Sequence, residues 1–190
     1  DTANQAPRFP LGLLPTQAVP MPRLAAWYRR FIETRASDSA ERTLETALTD
    51  PARLARVEAT MFAAVTDHVF IDGGHTIDFT NKAFEALDLL GPDAASQVLP
   101  TLVSQTTRAQ RSEEFSEWRH PHDLVALAHA TVARLVAVTP APGAKIDVGA
   151  VAWQILADDP VAVAEALVEA RASGATDEEL GRAIAYAAAL

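Results

Sequence analysis

Apolar residues recur every three or four positions along most of this chain, which is the spacing of amphipathic helices. Leu54, Val57, Met61 and Val65 form one such stripe, and Asp50-Pro51 before it is a typical helix start. No segment shows the sustained alternation of a strand. The pattern predicts an all-α fold of about eight or nine helices, over residues 22–35, 38–48, 51–68, 76–90, 93–107, 122–138, 146–157, 160–173 and 177–190.

Prolines and glycines indicate how these helices are organised. Residues 1–22 contain five prolines, so we expect an extended arm lying on the surface of the body. Residues 23–190 are predicted to form one globular helical domain, because the loop at 139–145 is short for a boundary. The last helix stops without a cap, so we expect the natural polypeptide to continue beyond residue 190. The start lacks both an initiator Met and a signal peptide, which favours a cytoplasmic protein without its true N-terminus.

The segment from His122 to Val138 is apolar on nearly every face. Such a helix is usually surrounded by others, so we predict that it is the central and most buried helix. Leu124, Leu127 and Leu135 would then lie in the interior.

Composition and charge narrow the possible functions. Hydrophobic residues make up 49% and charged residues 22% of the chain, which is ordinary for a folded domain. The formal charge of −9 repels phosphate backbones, so nucleic-acid binding is not expected. The absence of cysteine excludes disulfides, thiolate nucleophiles and Cys-ligated clusters within these residues. No apolar run reaches 18 residues, so a membrane partner is not expected either.

Four of the five histidines fall where a predicted helix should face inward. His122 and His129 are seven residues apart and share a helix face, and His68 continues the stripe that ends at Val65. His75 follows Gly73-Gly74 at the start of the next predicted helix. An unpaired buried imidazole is costly, so several of them indicate a common purpose.

Three explanations of these histidines stay open. They could be metal ligands, with His68, His75, His122 and His129 around one iron, because neutral imidazole suits that metal. They could line a metal-free pocket in which His75 or His122 acts as a general base. They could also form a structural network.

Nearby acidic and glycine residues fit more than one of these explanations. Asp67, Asp72 and Asp123 could fix the tautomers of the imidazoles. Asp72, Gly73 and Gly74 are candidate cofactor-binding residues, because a glycine turn before a helix lets a ligand approach the backbone amides.

Two short motifs have the Glu-x-x-His spacing of carboxylate-bridged di-iron bundles: Glu117-x-x-His120 and, with aspartate, Asp72-x-x-His75. Pro121 disfavours helical geometry at His120, and the two glycines do the same around Asp72. A solvated face is the simpler explanation of the acidic residues before His120.

The segment Asp67-His-x-Phe-x-Asp-Gly-Gly-His-Thr-x-Asp-Phe-x-Asn-Lys-Ala-Phe-Glu-Ala-Leu-Asp, with Arg111-Ser-Glu-Glu and Trp118-Arg-His-Pro-His-Asp-Leu, resembles the helical region of an uncharacterised group of proteins. That group is often labelled Rieske-type, because its longer members carry such a domain. The resemblance covers roughly residues 24–190, but a Rieske cluster needs cysteines that this chain lacks.

Two other resemblances concern activity. The His-rich helical pattern is similar to that of the questin-oxidase-like family, which implies redox chemistry on an aromatic substrate. The final segment Gly174-Ala-Thr-Asp-Glu-Glu-Leu looks like helices of carboxymuconolactone decarboxylase and alkylhydroperoxidase-type proteins. The Cys-x-x-Cys of the peroxidases is missing, so thiol peroxidase activity is not expected.

Together these observations favour an iron-dependent oxidoreductase or oxygenase, haem or non-haem, that acts on a small apolar or aromatic substrate. The alternative is a non-catalytic helical ligand-binding or interaction module with structural histidines. Either could be a homo-oligomer or need an additional chain segment.

Overall fold

The computed structural model describes residues 9–15, 18–142 and 146–190, and within these ranges its regular structure is entirely helical. The predicted all-α class is confirmed. The chain divides into two compact units, residues 1–112 and residues 113–190. No sequence signal predicted a division at residue 112, where the chain has neither a glycine nor a proline.

In its described residues the first unit has six α-helices: α1 (Met21–Glu33), α2 (Ser37–Leu48), α3 (Leu54–Thr66), α4 (His75–Leu90), α5 (Ala95–Val98) and α6 (Val103–Arg108). Short 3₁₀ turns join the helices from α2 onward. Asp50 accepts a hydrogen bond from the Ala52 N–H at 3.1 Å, as its predicted capping role requires. Pro100 lies in a 3₁₀ turn that separates α5 from α6, so the helix predicted over 93–107 is broken there.

The core of the first unit is built from the apolar stripes of these helices. Its most deeply buried large side chains are Leu24, Ile32, Val57, Met61, Leu99 and Val103. The described part of the N-terminal arm lies on α2, where Leu11 N–H donates to Glu41 and Leu14 N–H donates to Thr46 Oγ1 at 2.9 Å. Residues 1–8, 16 and 17, to which the arm prediction also applied, lie outside the described residues.

The second unit contains α7 (Leu124–Ala137), α8 (Val148–Ile155), α9 (Pro160–Ala172) and α10 (Asp177–Ala189). Each helix begins at a side chain that accepts a backbone N–H, as helix starts favour. These capping residues are Asp123, Asp147, Asp159 and Thr176. The Thr-x-x-Glu spacing of Thr176 and Glu179 is typical of a capping box, and the two residues form one.

The core of the second unit is small. It contains Val151, Ala170, Ala175, Leu180 and Ala183, which come from α8, α9, α10 and the turn between α9 and α10. None of the helices in the described ranges combines the length and apolarity needed to cross a bilayer.

The helix that was expected to be central, α7, packs against α9 but is not enclosed. Only Val125 and Thr131 of α7 are buried, whereas Val132 is 59% and Val136 82% exposed. The prediction that this helix is the most buried is therefore wrong. Its apolar composition identified a surface that favours burial, but composition does not supply the neighbours that would bury it.

Candidate functional site

The four histidines of the predicted site are divided between the two units. His68 and His75 belong to the first unit, and His122 and His129 to the second. The prediction that all four face the interior is wrong for His75, His122 and His129, which are exposed. His68 alone among them is enclosed, with 5% of its side chain accessible to solvent.

His68 lies in a polar cluster beneath the end of α1. Its Nε2 is 3.5 Å from Glu33 Oε2. The same carboxylate lies 3.8 Å from Nη1 of Arg111, whose side chain is 4% exposed. The imidazole therefore has an acidic neighbour that is itself beside a buried cation, which is an arrangement typical of a structural network.

Arg111 closes the C-terminal end of α1. Its guanidinium donates to Ile32 O at 2.7 Å and to Glu33 O at 3.0 Å, and Ile32 O also accepts the Arg35 N–H at 3.1 Å. Arg111 Nε is buried without a hydrogen-bond partner in the described chain. No sequence signal pointed to Arg111, because an arginine in a polar segment gives no indication of burial.

The turn between α3 and α4 has an unusual backbone. Phe70, Asp72, Gly73 and Gly74 all have positive φ angles, with values of 60° and 90° at the two glycines. Asp72 N–H donates to Gln110 O at 2.7 Å, and Ser112 Oγ donates to Phe70 O at 3.0 Å.

Two glycines before a helix imply either a positive φ or a close approach that leaves no room for a Cβ, and the structure shows positive φ at both. A Cβ at Gly73 would meet nothing within 4 Å, and one at Gly74 would lie 3.8 Å from Phe70 Cε2. Backbone conformation, and not a close approach by another group, is thus what requires glycine here. His75 follows as the first residue of α4, and its ring lies 6.4 Å from that of Phe79.

Two of the three carboxylates expected to orient the histidines, Asp67 and Asp123, have other partners. Asp67 accepts hydrogen bonds from Arg29 at 2.7 Å and 2.5 Å. Asp123 caps α7 by accepting the Ala126 N–H at 2.8 Å, and Arg119 donates to both of its oxygens. The Ala126 N–H and Arg119 together hold the pKa of Asp123 below its usual value.

Among the described residues no group of three or more His, Asp or Glu side chains is arranged to hold a metal ion. The iron site of His68, His75, His122 and His129 stays a prediction. The cofactor-binding role of Asp72, Gly73 and Gly74 stays a prediction.

One candidate histidine, His122, shares a cleft in the second unit with His120. The acidic cleft, as we call it, is lined by Glu117, His120, His122 and Asp158, with apolar walls from Leu124, Pro160 and Val163. Its volume is about 480 Å³. The spacing of Glu117 and His120 was noted in the sequence, but Asp158 was missed because it precedes a capping aspartate and a proline.

A second depression continues from this cleft. We call it the apolar groove; its floor and walls are side chains spaced three and four residues apart on α7 and α9, together with Ile184 of α10. From α7 these are Leu124, Leu127, Ala128, Thr131, Val132 and Leu135, and from α9 they are Pro160, Val163, Ala164 and Leu167. Among the described residues no charged side chain lines the groove, and its volume is about 330 Å³.

Comparison of the chain with protein-family models, with curated proteins and with solved structures finds no match.

Proposed function

We propose that this protein is a helical interaction module, whose second unit binds an amphipathic helix of a partner protein in the apolar groove. The observation that carries the proposal is the row of apolar side chains that α7 and α9 leave open to solvent. Contiguous exposed apolar surfaces of this kind usually mark interaction sites.

The shape of the groove favours a helix over a small molecule. Small-molecule sites enclose most of the ligand surface, whereas this groove leaves Val132 59% and Ile184 49% exposed. Two neighbouring helices form an elongated trough, and α7 has 14 residues, which corresponds to roughly 20 Å. An amphipathic helix with apolar residues at i, i+3, i+4 and i+7 matches a trough of this length.

The iron-dependent oxidoreductase that the family resemblance implies has less support. His68 faces Glu33, and the described residues offer no donor set for a metal. The acidic cleft contains two imidazoles, and it opens onto the apolar groove. An open depression of this kind does not exclude water from a reaction. A small-molecule substrate is therefore not part of the proposal.

Binding of designed helical peptides to the full chain tests this function. One labelled 14-residue peptide carries an apolar stripe and a polar face of glutamine and serine, and a second has the same composition in a scrambled order. Fluorescence anisotropy should show saturable binding of the first peptide only. If neither peptide binds, or if both bind equally, the proposal is wrong.

Two valines of α7 provide a matched pair of variants. Val132→Glu places a charge in the groove and should abolish binding, because burying an unpaired carboxylate is costly. Val136→Glu makes the same change on the same helix at a residue that does not line the groove, and should leave binding unchanged. Circular dichroism of both variants establishes that the helices remain folded. Equal loss in the two variants would overturn the assignment to the groove.

A further inference from the structure

We infer that the partner helix carries a lysine or arginine at the end that lies in the acidic cleft, so that charge fixes how the helix is placed along the groove. This inference rests on the proposed function, because it assumes that a helix occupies the groove. The partner helix is then basic at one end, and its cation lies beside the carboxylates of the acidic cleft.

The acidic cleft and the apolar groove form one continuous surface. Leu124 of α7 and Pro160 and Val163 of α9 line both of them. A helix seated along the groove therefore ends in the acidic cleft, where its terminal turn meets Glu117 and Asp158.

These two carboxylates have no assigned structural task. Within the described part of the chain, neither Glu117 nor Asp158 forms a hydrogen bond or an ion pair. The helix starts beside them are already capped, α7 by Asp123 and α9 by Asp159, which accepts the Val161 N–H at 2.9 Å. The positive ends of both helices are thus neutralised without Glu117 and Asp158.

A cation is the group that suits this arrangement. Covering two unpaired carboxylates with an apolar or acidic group would remove them from water without compensation. A lysine or arginine compensates them, and its aliphatic stem can lie along Leu124 and Val163. His120 and His122, when neutral, add ring nitrogens that can accept its N–H groups.

Charge also argues against a second copy of this chain as the occupant. Residues 113–190 contain 12 Asp and Glu and 5 Lys and Arg, a formal charge of −7. Two such units brought face to face would repel one another, whereas a basic helix would be attracted from a distance.

Four peptides built on the neutral 14-residue amphipathic helix test the inference. The first is the neutral peptide itself. Two others replace the glutamines of one terminal turn, either the first or the last, by two lysines. The fourth places the two lysines at the middle of the polar face. One of the end-substituted peptides should bind about three- to tenfold more tightly than the neutral one at low salt, and the gain should shrink in 0.5 M NaCl. The mid-substituted peptide should gain less.

Paired variants of the protein locate the effect. Glu117→Gln with Asp158→Asn should abolish the lysine-dependent gain and leave the neutral peptide bound as before. Glu169→Gln with Glu178→Gln removes two carboxylates of the same unit from outside the cleft, and should retain most of the gain.

The possible results separate the two proposals. Binding of all four peptides with equal affinity would overturn the cationic partner and leave the groove function standing, and a gain that survives Glu117→Gln with Asp158→Asn would do the same. Failure of every peptide to bind would overturn both. Sedimentation analysis of the chain alone completes the test: a dimer that dissociates in Val132→Glu but not in Val136→Glu would mean that a second copy fills the groove.

Discussion

The guanidinium of Arg134 on α7 donates to both carboxylate oxygens of Glu165 on α9, each at 2.6 Å. This two-point contact connects α7 and α9, the two helices whose apolar side chains form the apolar groove. Arg134 holds the pKa of Glu165 below its usual value, because the ion pair favours the charged carboxylate.

Acid should weaken this connection between α7 and α9. The pKa of Glu165 is lower in the folded protein than its ordinary value of 4.5, so its contribution to stability is present at neutral pH and is lost as the pH falls from 4.5 through the folded-state pKa. Glu165→Gln should lower the thermal midpoint slightly at pH 7 and by less at pH 3. Circular dichroism melting curves of the variant and of Glu169→Gln on the same helix provide the comparison. An equal effect of Glu165→Gln at both pH values would contradict the assignment.

Leucines of the two units should differ in their contribution to stability. Leu24 is 1% exposed in the core of the first unit, so Leu24→Ala should cost about 2–5 kcal/mol. Leu127 lines the open groove and is half-buried, so Leu127→Ala should cost only about 1 kcal/mol. Urea unfolding measures both. A larger cost for Leu127 would mean that the groove is closed in solution.

Removing the buried cation at the end of α1 should be costly. Arg111→Met deletes two hydrogen bonds to carbonyls, and bonds to charged groups contribute about 1.5–3 kcal/mol each. We expect a large loss of unfolding free energy in this variant. Arg30→Met, on the exposed face of the same helix, is the control and should change stability little. Similar losses in the two variants would show that Arg111 does not hold the end of α1.

Two glycine-to-alanine changes should have opposite signs. Gly74 has a φ of +90°, and a Cβ there would make only an ordinary contact, 3.8 Å from Phe70 Cε2, so Gly74→Ala should cost about 1–2 kcal/mol through backbone strain. Gly181 lies within α10, and no atom within 4 Å would meet a Cβ there. Gly181→Ala should stabilise the helix by about 0.5–1 kcal/mol. Thermal unfolding decides both signs.

Metal analysis of the purified chain addresses the competing iron hypothesis. Because the described residues provide no group of metal ligands, we expect well under one iron per chain. The measurement is elemental analysis together with a visible spectrum. If the chain contains one iron and His122→Ala loses it, the iron hypothesis is supported and a purely non-catalytic module is contradicted.

Local signals in the sequence determined the secondary structure. Asp-Pro at residue 50, Gly-Pro at residue 91 and the Thr176–Glu179 box each act within one helical turn, so neighbouring residues suffice to place the ends of helices. The positive φ of Gly73 and Gly74 was predictable for the same reason. A family resemblance and the spacing of histidines could not predict which side chains meet, because that depends on how helices pack.

The predicted histidine site is the feature in which the tertiary structure differs from the sequence pattern. Periodicity placed His122 and His129 on one face of an apolar helix, but periodicity does not say whether that face meets a neighbour or water. Arg111 has its role because it bonds to Ile32, which is distant in the sequence. Asp158 has its role because it lines the same cleft as His120. The sequence by itself determined the helices, their caps and the acidic charge, since these depend on short-range chemistry and composition. Only the packing of α7 on α9 decided that an apolar stripe lies open as a groove, because burial is a property of pairs of surfaces and not of one helix alone.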